Sequence, residues 1–189
     1  AFSYAQNIRM TVKSGNWSNK NTWDCTCVPA PNDHVIVVSG HVVTFQASNT
    51  VNNLTIEQGA VLTDNGLSNT ITGDLLINGT YSGSGMISLT GDNTIIDGTG
   101  IISNLANILI TGDKTISATA HLTINISAML IQGAYMITNQ GTISVGGNVN
   151  GAEAASTWIN ESNAILNIGG SSGVPLLATG TLHASAPGN

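Results

Sequence analysis

The sequence predicts an all-β fold, a right-handed parallel β-helix with about 18–21 residues per coil and a capping segment at its N-terminus. Three observations predict it: short β-branched runs, a near absence of helix signals, and a glycine that returns at almost constant intervals. The runs include Val35-Ile36-Val37-Val38, Leu54-Thr55-Ile56, Ile108-Leu109-Ile110 and Leu122-Thr123-Ile124, each bounded by Gly, Asn, Asp or Ser. No stretch holds apolar residues at i, i+3, i+4 and i+7 between caps, and the β-branched, Gly and Asn content opposes helix formation.

The glycine follows a strand-like run in Ile71-Thr72-Gly73, Leu89-Thr90-Gly91, Ile110-Thr111-Gly112, Ile131-Gln132-Gly133 and Val149-Asn150-Gly151, at steps of 18, 21, 21 and 18 residues. Three short strands and their corners fill such a step, which makes one coil of a solenoid. Coils stack at about 4.8 Å, so inward side chains form columns. Pairs two residues apart face one side of a strand. Leu54 and Ile56, Leu75 and Ile77, Ile87 and Leu89, Ile108 and Ile110, Leu122 and Ile124, and Ile143 and Val145 are therefore the inward residues. From Val35 to the end there is room for seven or eight coils, a rod of roughly 35 to 40 Å. Domain organisation follows: 1–33 is an N-terminal strand and cap, and 34–189 are coils.

Composition agrees. Of 189 residues, 41% are hydrophobic but only 4% aromatic, so the interior is built from Ile, Leu, Val and Ala. Only 7% are charged, against about 25% in an ordinary soluble domain. Ample hydrophobicity excludes a disordered chain. Four Lys and Arg and a net charge of −6 disfavour nucleic acid as a partner. No apolar run approaches the roughly 20 residues of a membrane span. Small residues Ser3 and Ala5 suit the trailing end of a secretory signal as well as an ordinary first strand. Thr181–Asn189 shows no amphipathic helix to cap the last coil, so either further chain or another subunit is expected to cover it.

Cys25 and Cys27, one residue apart, form a local disulfide or stay free; a metal would need two more strong ligands, and no paired motif supplies them. Ser14-Gly15-Asn16-Trp17-Ser18, Thr22-Trp23, Cys25-Thr26-Cys27-Val28-Pro29, Asp33-His34-Val35-Ile36-Val37 and Gly40-His41-Val42-Val43-Thr44 follow one another in an order that resembles secreted β-solenoid surface proteins of Bacteroidota. That pattern reads Gly-x-Trp, a second Trp, Val-Pro, Asp-x-Val-x-Ile and Gly-His-x-Val. The resemblance implies export, an extracellular or cell-surface location, and a role as adhesin, stalk or scaffold. Trp17, Trp23, Cys25, Cys27 and Pro29 are read as the structural cap, with the two rings plugging the first coil.

Signs of chemistry are sparse. Arg9, Lys13, Lys20 and Lys114 are the only permanent cations, and three precede the coils. Asp74, Asp92 and Asp113 each follow the recurrent glycine and would stack on three successive coils. Either they accept hydrogen bonds from their own turns or they hold Ca²⁺, and the absence of the calcium-binding nonapeptide favours the turns. His34, His41, His121 and His183 form no nucleophile constellation, although the first two share one hairpin-like stretch. No catalytic, cofactor or metal residue is assigned.

The expected function is a non-enzymatic extracellular structural module, the rigid solenoid of a surface adhesin or a self-assembling secreted filament. A homo-oligomer or filament would join through solenoid ends, with Ile8, Met10 and Val12 as the strand-addition segment. The alternative is a carbohydrate-binding or targeting module of a secreted polysaccharide-degrading enzyme, with surface glycans as partners and Trp158 and Tyr81 as exposed contacts. Trp158 itself is expected as a partly buried outward ring.

Overall fold

The computed structural model describes residues 6–169 and the backbone of Thr181–His183. Ser3, Ala5, Gly180 and Ala184–Asn189 lie outside the described residues. The described residues are all-β, with one short 3-10 turn at Lys20–Thr22. Its strands stack in parallel into three sheets. The first has nine strands, from Ile8–Met10 to Thr181–His183. The second has eight, from Gly15–Asn16 to Ile165–Ile168, and the third has six, from Thr50–Val51 to Asn148–Gly151. One coil visits the three sheets in turn. About six complete turns run from His34 to Gly151, followed by a partial one. From His34–Val37 to Thr181–His183 the first sheet carries eight strands.

The inner face follows the alternation of the sequence. All six inward pairs are buried, none more than 2% exposed. Register stacks them into columns: in the third sheet Ile71, Leu89, Ile110 and Ile131 follow one another. Full burial of each such side chain contributes about 1.5–3 kcal/mol, and this repeats at every rung.

Register corrects the glycine series at its last member. Gly151 pairs directly with Ile131, inside the ladder, so Glu153 takes the corner place that follows Gly133. Coil length also ranges more widely than the glycine steps imply. Ile71 to Leu89 is one coil of eighteen residues, whereas Trp158 to Leu182 is one of twenty-four. Corners absorb the difference. From third to first sheet the chain needs only Ile71 to Leu75 early on, but Gly151 to Asn160 later.

Corners also explain the asparagine content. Of five non-glycine residues with positive φ among the described residues, four are asparagines: Asn65, Asn93, Asn104 and Asn163. Asn tolerates the left-handed region better than other side chains, so it turns the chain where glycine is not used. Gly83 is required for a different reason. A Cβ there would run into the Asp64 carboxylate.

The segment before His34 contributes the first rung as well as the cap. Ile8–Met10 pairs in parallel with His34–Val37, and Gly15–Asn16 with Val42–Thr44. His34–Val37 and Val42–Thr44 lie in different sheets, so the hairpin expected around His34 and His41 is a corner between sheets.

Candidate functional site

Trp17 and Trp23 close the N-terminal end. Each is 1% exposed, their rings meet edge to face at 4.8 Å between centroids, and Trp17 packs on Phe45 at 4.4 Å. The Trp23 indole N–H donates to the Trp17 carbonyl at 2.8 Å. Cys25 and Cys27 form a disulfide, Cys25 leans on the core, and Pro29 is buried. Thr11 hydrogen-bonds both the Val38 amide and His41 Nδ1, which ties the cap to the first full coil. Asp33, buried, pairs with Arg9 at 3.1 Å and accepts the Ala30 N–H at 2.8 Å.

Polar side chains further along stitch coil to coil. Asp64 Oδ1 accepts from Gly66 N–H at 2.8 Å in its own turn and from Gly85 N–H at 3.1 Å one coil on. Asn53 accepts from Asp74 N–H, and Asn78 from Thr99 N–H. Each bond satisfies a corner amide that the regular ladder leaves over.

The three aspartates after the recurrent glycine do the same work, which corrects both their placement and their partners. Asp92 accepts from Asp113 N–H at 2.9 Å, one coil on. Asp74 accepts from Ile95 N–H and Asp113 from Met136 N–H, each at 2.8 Å. Asp74 therefore sits under Ile95 rather than under Asp92, because the corner between Leu89 and Ile96 is three residues longer than the one between Ile71 and Leu75. Their acceptors reach the next coil, and Asp92 also accepts from the Asn93 side-chain amide of its own turn at 3.2 Å. Lys114 is 3% exposed and seals this region from inside, its ammonium donating to the carbonyls of Gly91, Gly112 and Asp113. Burial pushes that ammonium down to about 8, against an upward pull from Asp92 and Asp113.

One open groove of about 230 Å³ lies on the outer face of the first sheet, lined by His34, Asn53, Thr55, Asp74, Leu76, Ile95 and Asp97 among others. Parallel register makes it a grid. His34, Asn53, Asp74 and Ile95 follow one another along one column, and Ile36, Thr55, Leu76 and Asp97 along the next. His34 Nε2 and the Thr55 hydroxyl are 2.9 Å apart. Burial pushes the His34 imidazole below its ordinary value, and Asp74 partly opposes this.

The other sequence assignments fall as follows. Trp158 and Tyr81 are fully buried, which corrects both the outward placement of Trp158 and the use of either ring as a glycan contact. Trp158 stacks on Ile137, and the Tyr81 hydroxyl accepts from Asn69 at 3.0 Å. Ile8, Met10 and Val12 do expose their side chains. The backbone of the last two is already engaged: Met10 exchanges hydrogen bonds with Asp24, and Val12 N–H donates to the Thr22 carbonyl. That corrects Met10 and Val12 as a free edge for strand addition. His121 is exposed, and of His183 only the backbone is described.

Sequence reasoning missed the groove as a unit. Asp74 and His34 were visible as residues, but Leu76, Ile95 and Asp97 join them only through register. The signal available was the outward set of the same alternation that gave the core. No family model matches this sequence, and no curated protein or solved structure is detectably similar to it.

Proposed function

We propose that this chain is a non-enzymatic extracellular structural module, a rigid solenoid that gives reach to a surface adhesin or builds a self-assembling secreted filament. The observation that carries this reading is the use made of polar side chains. Asp64, Asp74, Asp92, Asp113, Asn53 and Asn78 accept backbone N–H groups of the neighbouring coil, so their chemistry is directed at holding turns together. Low charge fits the same role, since copies packed closely along a filament repel little. The resemblance of the Trp17 to Thr44 block to exported solenoids supports the extracellular setting.

Assembly would use the exposed side chains of Ile8, Met10 and Val12 at the N-terminal end rather than backbone pairing along Met10–Val12. Electron microscopy with sedimentation over a range of concentrations tests it. Rods longer than the roughly 38 Å spanned by the nine stacked strands of the first sheet, growing with concentration, are expected. Monodisperse particles of one solenoid at every concentration would remove the filament branch. Rigidity has its own test: amide exchange should be uniformly slow across the inner strands from Val35 to Val149. Fast exchange in the middle turns would remove the structural reading altogether.

A further inference from the structure

We propose that the Cys25–Cys27 disulfide is a thiol-exchange site, at which a small external thiol opens the bond at Cys27 and is carried there as a mixed disulfide. The bond joins residues two apart and encloses only Thr26. A cross-link stabilises a fold chiefly by restricting the unfolded chain, and its contribution shrinks with the loop it closes. This one closes almost none. The surrounding segment is held by other means: the Trp23 indole N–H on the Trp17 carbonyl, buried Pro29, and the Ala30 N–H on Asp33. The cap therefore stands without the bond. The ring also holds a residue in a costly conformation. Thr26 has φ 52°, and its N–H closes a turn on the Trp23 carbonyl at 3.1 Å. Every other non-glycine residue with positive φ among the described residues is an asparagine, which tolerates the left-handed region, whereas a β-branched side chain does not. Opening the ring lets Thr26 leave that region, and the strain released favours reduction.

The two sulfurs are unlike. Cys25 leans on the core, whereas Cys27 lies between the exposed residues Thr26 and Val28. The Cys27 N–H donates to Cys25 Sγ at 3.2 Å, a bond that favours a thiolate on Cys25 and makes it the better leaving group. The incoming thiol loses its proton and its sulfur attacks Cys27 Sγ. The new S–S bond forms as the Cys25–Cys27 bond breaks, and the electron pair leaves on Cys25 Sγ, which takes up a proton. A second molecule of thiol then attacks the sulfur of the bound one, so that the small disulfide departs and Cys27 is left as a thiol. Two thiols are oxidised to one disulfide and the protein bond is reduced to two thiols.

The test equilibrates the full chain with mixtures of reduced and oxidised glutathione at pH 7.5, traps free thiols by alkylation and reads each cysteine by mass spectrometry. The expected result is a bond that opens reversibly in the folded protein, with glutathione on Cys27 and the alkylating group on Cys25 in the mixed form. Thr26→Gly, which takes positive φ without steric cost, should raise the equilibrium constant for closing the ring about fivefold, and Thr26→Asn about threefold. The double variant Cys25→Ser, Cys27→Ser should melt within about 3 °C of the parent. Glutathione on Cys25 instead, a bond that opens only as the chain unfolds, a ring-closing constant unchanged by both Thr26 variants, or a double variant melting more than about 10 °C lower would overturn the proposal.

Discussion

One inner column of the first sheet changes character along its length. Val35, Leu54, Leu75, Ile96 and Ile116 stack as aliphatic rungs, and then Asn139 and Asn160 occupy the next two. Both asparagines are buried, yet each is bonded. Asn139 donates to Asn160 at 2.9 Å and to the Ile165 carbonyl, and it accepts the Gly141 N–H. Asn160 also accepts the Trp158 indole N–H at 3.0 Å and donates to the Ala164 carbonyl. The backbone groups they bond, Gly141 N–H and the Ile165 and Ala164 carbonyls, belong to the corners that lead from the first sheet to the second, and the column turns polar to satisfy them. A buried position is thus apolar or polar according to what the corner beside it leaves unpaired.

Removing the largest side chain of the late region should have the largest effect. Trp158→Ala empties a fully buried site and strips Asn160 of a donor, with an expected loss of about 4 kcal/mol in urea denaturation. Exchanging the characters of the two regions comes next. Leu75→Asn places an amide among aliphatic rungs without partners and should cost about 3 kcal/mol, while Asn139→Leu orphans the Gly141 N–H and the Ile165 carbonyl and should cost about 2 kcal/mol. If Asn139→Leu were stabilising, the corner account of this column would fail.

The boundary between the two regions carries a pH signature. Lys114 titrates at about 8 when folded and near 10.5 when unfolded. Below pH 8 both states hold the proton and stability is flat. Between about 8 and 10.5 the unfolded chain binds more protons, so stability rises with pH. Tyr81 acts in the opposite sense. Burial, with Asp64 adding to it, pushes its phenol above the ordinary value of 10, so stability falls once the unfolded tyrosine ionises. Melting temperature should therefore climb from pH 8 to about 10 and then drop, and Lys114→Met should remove the climb alone. The smallest effect belongs to the outer face. Asp74→Asn should change stability by less than about 0.5 kcal/mol, and Asp74→Ala by about 1 kcal/mol through the lost Ile95 bond.

The core was legible residue by residue because alternation of two is a local property: Leu54, Ile56, Leu75 and Ile77 declare their side of the strand without reference to any other coil. Corner length is different. Nothing in Asp92-Asn93-Thr94 says that three residues have been added between Leu89 and Ile96, yet that addition moves Asp74 out from under Asp92 and beneath Ile95. Gly151 misled for a related reason. Its spacing from Gly133 matched the period, whereas the ladder steps from Ile131 to Gly151 in twenty residues. Trp158 misled because its polar neighbours Ser156, Thr157 and Asn160 suggested a surface, although Ser156 and Asn160 are themselves bonded inside.

By itself, then, the sequence determined the all-β class, the coiling and the aliphatic columns, since these follow from side-chain periodicity and from interior chemistry that repeats within each strand. Only the tertiary structure decided which corner meets which, and with it the pairing of Asp74 with Ile95, the burial of Lys114, the Asn139–Asn160 ladder and the outer groove. Those features join residues from different turns. Their contacts depend on the accumulated length of every corner between them, a sum that no local pattern records.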